Sequence, residues 1–220
     1  MVMLVTRVVG VLLALAGLAL TVAGVWFALR LGSDGTAEFS ARPEAASPVL
    51  IAPDVLNRVD SDVVVTATPS EGAGLWMARA NPSDADAVLG DARRVEITGV
   101  DIRDWLLTTR TTGTEEPPTL GNADLWRQQD DGQGPVTLTV TQEDAPESLV
   151  ISSADGLVSS VTLTVSDKRW FVESVVAVLI GLFLLAAGVI AVWPRRRSAH
   201  PETVEPASTV SPTTVEEVRR

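Results

Sequence analysis

General acid–base chemistry is the one reaction type whose parts this chain carries in number. Asp101 with Asp104, Glu115-Glu116 and Asp130-Asp131 each put two carboxyls within a few residues. Glycosidases use such pairs to divide a proton donor from an acceptor. An acidic domain also supplies such neighbours in its turns, and Glu115-Glu116 beside Pro117-Pro118 reads as loop charge. Nucleophilic catalysis needs a nucleophile next to a base. The chain has no Cys and no Tyr, and its single His, His200, stands near the C-terminus. A Ser-Lys pair would rest on Lys168, which sits beside Arg169 before an apolar run and suits a snorkelling anchor. Calcium favours clustered oxygens. Asp84-Ala85-Asp86 and Asp130-Asp131-Gly132 offer some without the alternating spacing of a dedicated loop, and Asp84 and Asp86 suit the first turn of a helix. There is no phosphate-cradling glycine loop and no zinc spacing. The expected catalytic, metal and cofactor-binding residues are therefore none, and no cofactor is expected.

The elements that would carry any site are bracketed by two apolar runs, residues 8–30 and 170–193. Each matches the ~20 residues a helix needs to cross a bilayer. Mean hydropathy is +0.25 although the net charge is −11. The two facts reconcile once the chain is divided, because residues 31–170 hold 23 Asp and Glu against 10 Lys and Arg, a net of −13. Such a domain repels nucleic acid and anionic headgroups, so nucleic acid is not an expected partner. The first run has a basic start at Arg7 and a small-residue site at Thr21-Val22-Ala23, which loosely fits a signal peptide. It continues to Leu29, too long for an h-region of ~7–15 residues, which favours an uncleaved anchor. Arg7 before the first run and Arg195-Arg196-Arg197 after the second place both tails in the cytoplasm and the domain outside. Trp26-Phe27, Trp170-Phe171 and Trp193 fall at the expected interfaces. The expected partners are the lipid bilayer and another membrane or envelope protein.

The resulting division is a cytoplasmic N-tail (1–7), a first transmembrane helix (8–30), a linker (31–48), a β-sandwich domain (49–167), a second transmembrane helix (170–193) and a disordered cytoplasmic tail (194–220). Within the domain, Val136, Leu138 and Val140 alternate with threonines, and so do Val161, Leu163 and Val165. This is the period of strands with one buried face. Weaker candidates are Val63–Thr68, Leu75–Ala80, Val95–Val100, Trp105–Thr111, Ala123–Gln128 and Leu149–Ser153, with turns at residues 69–72, 130–132 and 155–156. About eight short strands predict an antiparallel sandwich or barrel, since parallel pairing needs long crossovers. Ser83 and Asp86 suggest a capping box, and Gly90 a stop, for one short helix over Asp84–Leu89. Trp76, Trp105 and Trp126 read as packing, with a ligand site as the alternative.

The spans carry a stripe of small residues. Gly10, Ala14, Gly17, Thr21, Gly24 and Ala28 recur at alternating steps of four and three, and Ser174, Ala177, Gly181, Gly188 and Ala191 follow the same rhythm. Small residues let helix backbones approach where lipid gives no hydrophobic driving force. Neither uncharged run, Val8–Leu29 or Ser174–Trp193, contains an ionisable residue, which argues against an ion path.

Leu75–Ala80 followed by Ser83–Gly90 (SDADAVLG) is similar to a recurring "FVGIA…ADVDAYLAG" stretch. Trp126 with Gly132-Gln133-Gly134 through Leu138 is similar to a Trp followed by "GxGxxxLxW", with Val140 in place of the last Trp. Ser148–Gly156 is similar to a "WxVVVMNADG" strand and turn, with Ser148 near the Trp and Ser153 for Asn. In these motifs the chain resembles a large group of actinobacterial membrane proteins with two spans and an extracytoplasmic β domain between them. The resemblance implies that architecture and no catalytic assignment. The leading expectation is binding or scaffolding at the cell envelope, as an accessory subunit of a membrane assembly. A sensor whose tail is phosphorylated (Ser208, Thr209, Ser211, Thr213, Thr214) and a carboxylate-based hydrolase are the alternatives.

Overall fold

Thirty residues with no proline and charges only at Arg7 and Arg30 form the first helix, α1 (Val2–Leu31). The computed structural model describes residues 2–44, 48–58, 62–70, 72–121, 124–141, 146–154 and 157–193. At ~1.5 Å per residue, α1 is ~45 Å long, more than the ~30 Å hydrocarbon core of a bilayer. The last helix, α4 (Lys168–Val192), starts where the Asp167 carboxylate accepts the Arg169 N–H at 2.8 Å. That contact satisfies one of the donors a helix start leaves open. Both helices are long and apolar enough to span a membrane, with mean hydropathies of 2.5 and 3.0. They run antiparallel against each other.

Between them the described residues form ten strands: β1 (Thr36–Ala41), β2 (Val49–Ile51), β3 (Val63–Pro69), β4 (Gly74–Ala80), β5 (Arg94–Asp101), β6 (Leu106–Thr112), β7 (Gln128–Gln133), β8 (Val136–Val140), β9 (Ser148–Ser153) and β10 (Val158–Ser166). Two short helices, α2 (Pro53–Leu56) and α3 (Pro82–Leu89), interrupt them. All ten strands belong to one sheet in the order β7-β4-β9-β2-β5-β6-β1-β10-β3-β8. Its end strands β7 and β8 lie close together, so the sheet curls almost into a barrel.

The threonine alternation behaves as a half-buried strand should. Val136, Leu138 and Val140 are buried and Thr137 and Thr139 exposed, and Val161, Leu163 and Val165 also point inward. The inner core includes Ile51, Leu75, Met77, Ile97, Leu138 and Ile151, all at most 2 % exposed. β2 and β9 are buried on both faces, because α3 covers the outside. Leu50 and Val150 meet Ala85 and Leu89 of α3 there. Strands covered on both faces read as continuous apolar runs, as Val49–Ile51 and Leu149–Ile151 do.

Four expectations are corrected. The sheet is mixed and single, not an antiparallel sandwich: β2 pairs β5 in parallel, Val49 opposite Val95 and Ile51 opposite Ile97, and β1 meets β6 in parallel at Ser40 and Leu106. The crossover from β2 to β5 exists because the intervening chain supplies α2, β3, β4 and α3, with the strands entering the same sheet. Residues 36–41, placed in the linker, form β1, with Ala37, Phe39 and Ala41 facing the core. The strand expected at 123–128 lies instead at Gln128–Gln133, and Asp130-Asp131-Gly132 is strand, not turn. This polar end strand has no apolar period to betray it and is held by backbone pairing to β4. Finally, α3 begins after Asn81 with Pro82 in its first turn, not at a Ser83–Asp86 box. Proline suits that position because the N–H it lacks has no helical partner.

Candidate functional site: the junction of helices and sheet

The two long helices feed directly into neighbouring strands. Gly35 bends the chain between α1 and β1 at φ +67°, and a Cβ there would collide with the Asp167 carbonyl. Its own C=O accepts the Asp167 N–H at 3.1 Å. One residue on, the Thr36 and Ser166 hydroxyls hydrogen-bond at 2.9 Å. β1 and β10 then continue antiparallel, with Phe39 opposite Leu163. The helix pair and the sheet are thus joined at two adjacent strands.

Below the joint, every seventh residue of α1 from Gly10 to Leu31 is buried, and so are Ser174, Gly181 and Gly188 of α4. The facing pairs match in antiparallel register. A Cβ on Gly24 would stand 2.9 Å from Ser174 O, one on Gly17 2.6 Å from Gly181 O, and one on Gly10 3.1 Å from Gly188 O. Gly188 faces Ala14, Gly181 faces Thr21, and Gly10 faces Ala191. The Thr21 hydroxyl donates to Gly17 O at 2.7 Å and Ser174 to Trp170 O at 2.8 Å, so neither leaves a polar group unmatched. Ala28 is half-buried and Ala177 faces a cavity. Arg7 is exposed near the start of α1. Arg195, Arg196, Arg197 and the tail hydroxyls lie outside the described residues.

That cavity, of about 550 Å³, lies where the helices meet the sheet. The α1 side contributes Leu20, Ala23 and Phe27, α4 contributes Trp170 and Ala177, and the sheet contributes Phe39, Leu163 and Val165. Arg58 and Glu173 are its only charged lining residues among the described ones. From Trp170 to Ala177 it extends ~10 Å along the helix pair.

Trp105 closes the wall from above. Asp101 Oδ1 accepts the N–H groups of Arg103 at 2.9 Å and Asp104 at 3.3 Å, making a tight turn before β6. The Asp101–Asp104 pair is therefore turn chemistry. The turn leaves Trp105 at φ +58°, unique among the described non-glycine residues. For a bulky residue this costs roughly 1–3 kcal/mol. Aromatic packing compensates: the ring stacks on Phe39 at 5.2 Å and leans on Trp26 at 6.2 Å. Its indole N–H is buried without a hydrogen-bond partner. The sequence offers Trp105 as a packing or ligand-site residue but does not show its strained backbone, because positive φ at a tryptophan has no compositional signal.

A second cleft, of about 810 Å³, lies at the helix-distal end between residues 116–121 and strands β4, β7 and β9. Trp76, Glu116 and Asp131 are among its walls. Trp76 is fixed by Trp126 edge-on at 5.0 Å, and Trp126 in turn donates to Leu120 O at 2.8 Å. Of the acidic residues weighed for calcium, Asp84 accepts from the Asn81 amide at 3.0 Å, and Asp130 accepts the Asp131 N–H at 3.0 Å.

Among the described residues, two ionic clusters escaped sequence reasoning because each draws on segments separated along the chain. Glu147, 5 % exposed, lies 2.8 Å from Arg79 Nε and 3.2 Å from Arg127 Nη1. Glu96 accepts from Arg94 at 2.9 Å, Arg110 at 2.7 Å and Thr112 at 3.0 Å. Burial pushes the Glu96 carboxyl up, but the Arg110 and Thr112 hydrogen bonds and the Arg94 charge outweigh it and hold it below its ordinary value. Arg94–x–Glu96 on one strand face was the available hint. No protein-family model, curated protein or solved structure matches this chain.

Proposed function

We propose that this protein is a two-span membrane protein that holds a β domain close to the outer surface and offers that domain's helix-distal cleft to a partner protein of the envelope. The observation that carries the reading is the exposure of the apolar helix pair. Leu12, Phe183 and Ile190 are at least 60 % exposed, and only 17 % and 11 % of the most apolar windows of α1 and α4 are buried. A core helix would be covered by its own protein, and a contiguous apolar surface of this extent calls for lipid or a partner. In the proposed orientation Arg7 and Arg195–Arg197 are cytoplasmic. The motifs resembling the two-span actinobacterial proteins accord with this arrangement.

The joint at Gly35 and Asp167 gives the anchor a use beyond retention, because a domain tied at two neighbouring strands keeps a fixed aspect toward the bilayer. The test exploits the absence of cysteine. Single Thr139→Cys and Ser198→Cys variants, in intact cells, are treated with a membrane-impermeant maleimide. Labelling of Thr139→Cys alone, with full retention in membranes after alkaline carbonate, is the expected result. Labelling of Ser198→Cys alone, or release by carbonate, overturns the reading. A photo-crosslinker at Gln133, beside the cleft, should capture a discrete envelope protein, and absence of any adduct would remove the scaffold role.

A further inference from the structure

The joint cavity combines three features that point to one class of ligand. Its wall is almost wholly apolar and its volume, about 550 Å³, falls in the ~300–1,000 Å³ range of small-molecule sites. It reaches two helical turns down α1 and α4, between Leu20 on one and Ala177 on the other. And its charged lining residues among those described, Arg58 and Glu173, suit a zwitterionic headgroup at one end. An empty apolar cavity forfeits dispersion contacts along its whole lining, and water would find few polar partners there. The wall is contributed by two helices and the sheet together, so it is not a by-product of packing within either part.

We propose that this cavity holds one acyl chain of a membrane lipid, packed against the Phe39 and Trp105 rings and the apolar side chains of the two helices. The inference rests on the membrane reading above, since the chain enters from the bilayer beside Ala23 and Ala177. Arg58 and Glu173, at the domain end, face the headgroup, where a phosphate would meet the guanidinium. A lipid held this way would tie the β domain to the outer leaflet as well as to its own helices.

Ala23 is exposed on α1 and lines the cavity, so Ala23→Phe plugs the entrance with little effect on the core. The full chain is purified in mild detergent and examined by native mass spectrometry. The expected result is one retained phospholipid per protein, lost in Ala23→Phe and released more readily by Trp105→Phe. In a second measurement, Trp105 is kept as the single tryptophan and the protein is reconstituted into vesicles of phosphatidylcholine brominated along its acyl chains. Bromine should quench Trp105 fluorescence, and Ala23→Phe should remove the quenching that unbrominated vesicles do not show. A lipid-free native mass together with Trp105 that brominated chains leave unquenched, or equal retention and quenching in Ala23→Phe, would overturn the proposal. So would a protein dimer or a bound peptide in place of the lipid. Carbonate extraction separates the two readings: a membrane-bound protein without cavity lipid sinks this inference alone.

Discussion

Gly17 and Gly181 lie against each other so closely that a methyl group on either would overlap the other's backbone. They are the middle pair of three, with Gly10–Gly188 on one side and Gly24–Ser174 on the other, each seven residues apart. Seven residues make almost two helical turns, so a seven-residue period keeps one line of contact facing the partner helix. Backbones that approach this closely gain packing that bulky side chains would prevent.

Gly17→Leu or Gly181→Leu should therefore force the helices apart. Overpacking of this kind costs about 1–3 kcal/mol. The readout is the thermal midpoint of the full chain in detergent, which should drop for both variants. Leu15→Ala, on an exposed face of α1, should leave it nearly unchanged.

Gly35→Ala attacks the joint. The new methyl meets the Asp167 carbonyl, and the residue is held at positive φ. The expected cost is roughly 1–3 kcal/mol. Amide exchange should rise at Thr36 and Asp167 before it rises in β3 or β8.

The Glu147 cluster should respond asymmetrically. Glu147→Ala strands Arg79, whose side chain is 19 % exposed, and a broken buried pair costs about 3 kcal/mol. Arg127 is 42 % exposed, so Arg127→Ala should cost under about 1 kcal/mol. Urea midpoints followed by tryptophan fluorescence give the ratio.

Acid should weaken the domain through Glu96. Burial opposes its ionisation, yet Arg110, Thr112 and Arg94 hold the folded pKa below the unfolded one. A depressed carboxyl stabilises the fold above its unfolded pKa, and that contribution disappears as pH falls through the folded value. The urea midpoint should fall with pH below about 4, and Glu96→Gln should make that fall shallower. An unchanged slope in Glu96→Gln would contradict the assignment.

Much of this architecture was legible from local pattern. Val136–Val140 and Val161–Val165 alternate with threonine, and a strand with one wet face has no other way to be written. The helix stop at Gly90 was equally local. Pairing partners were not legible, because the apolar pattern of β2 or β5 carries no information on whether they run parallel. β1 was hidden among small polar residues, since Thr36–Ala41 buries only two alanines and Phe39. The cavity was invisible for the same reason as the ionic clusters: its wall assembles from α1, α4 and strands far apart in the chain.

The pairing of β1 with β10 also sets an order of events. Thr36 meets Ser166, 130 residues later. At the ~5–20 residues per second of synthesis, β1 waits on the order of ten seconds for that neighbour. Its antiparallel partner arrives last of all the strands, immediately ahead of α4. Closure of the sheet and arrival of the second long helix therefore fall together, so the domain is sealed by the same stretch of chain that completes the helix pair. A chain truncated before Val158 would display an unfilled slot beside β1, open to any extended segment nearby.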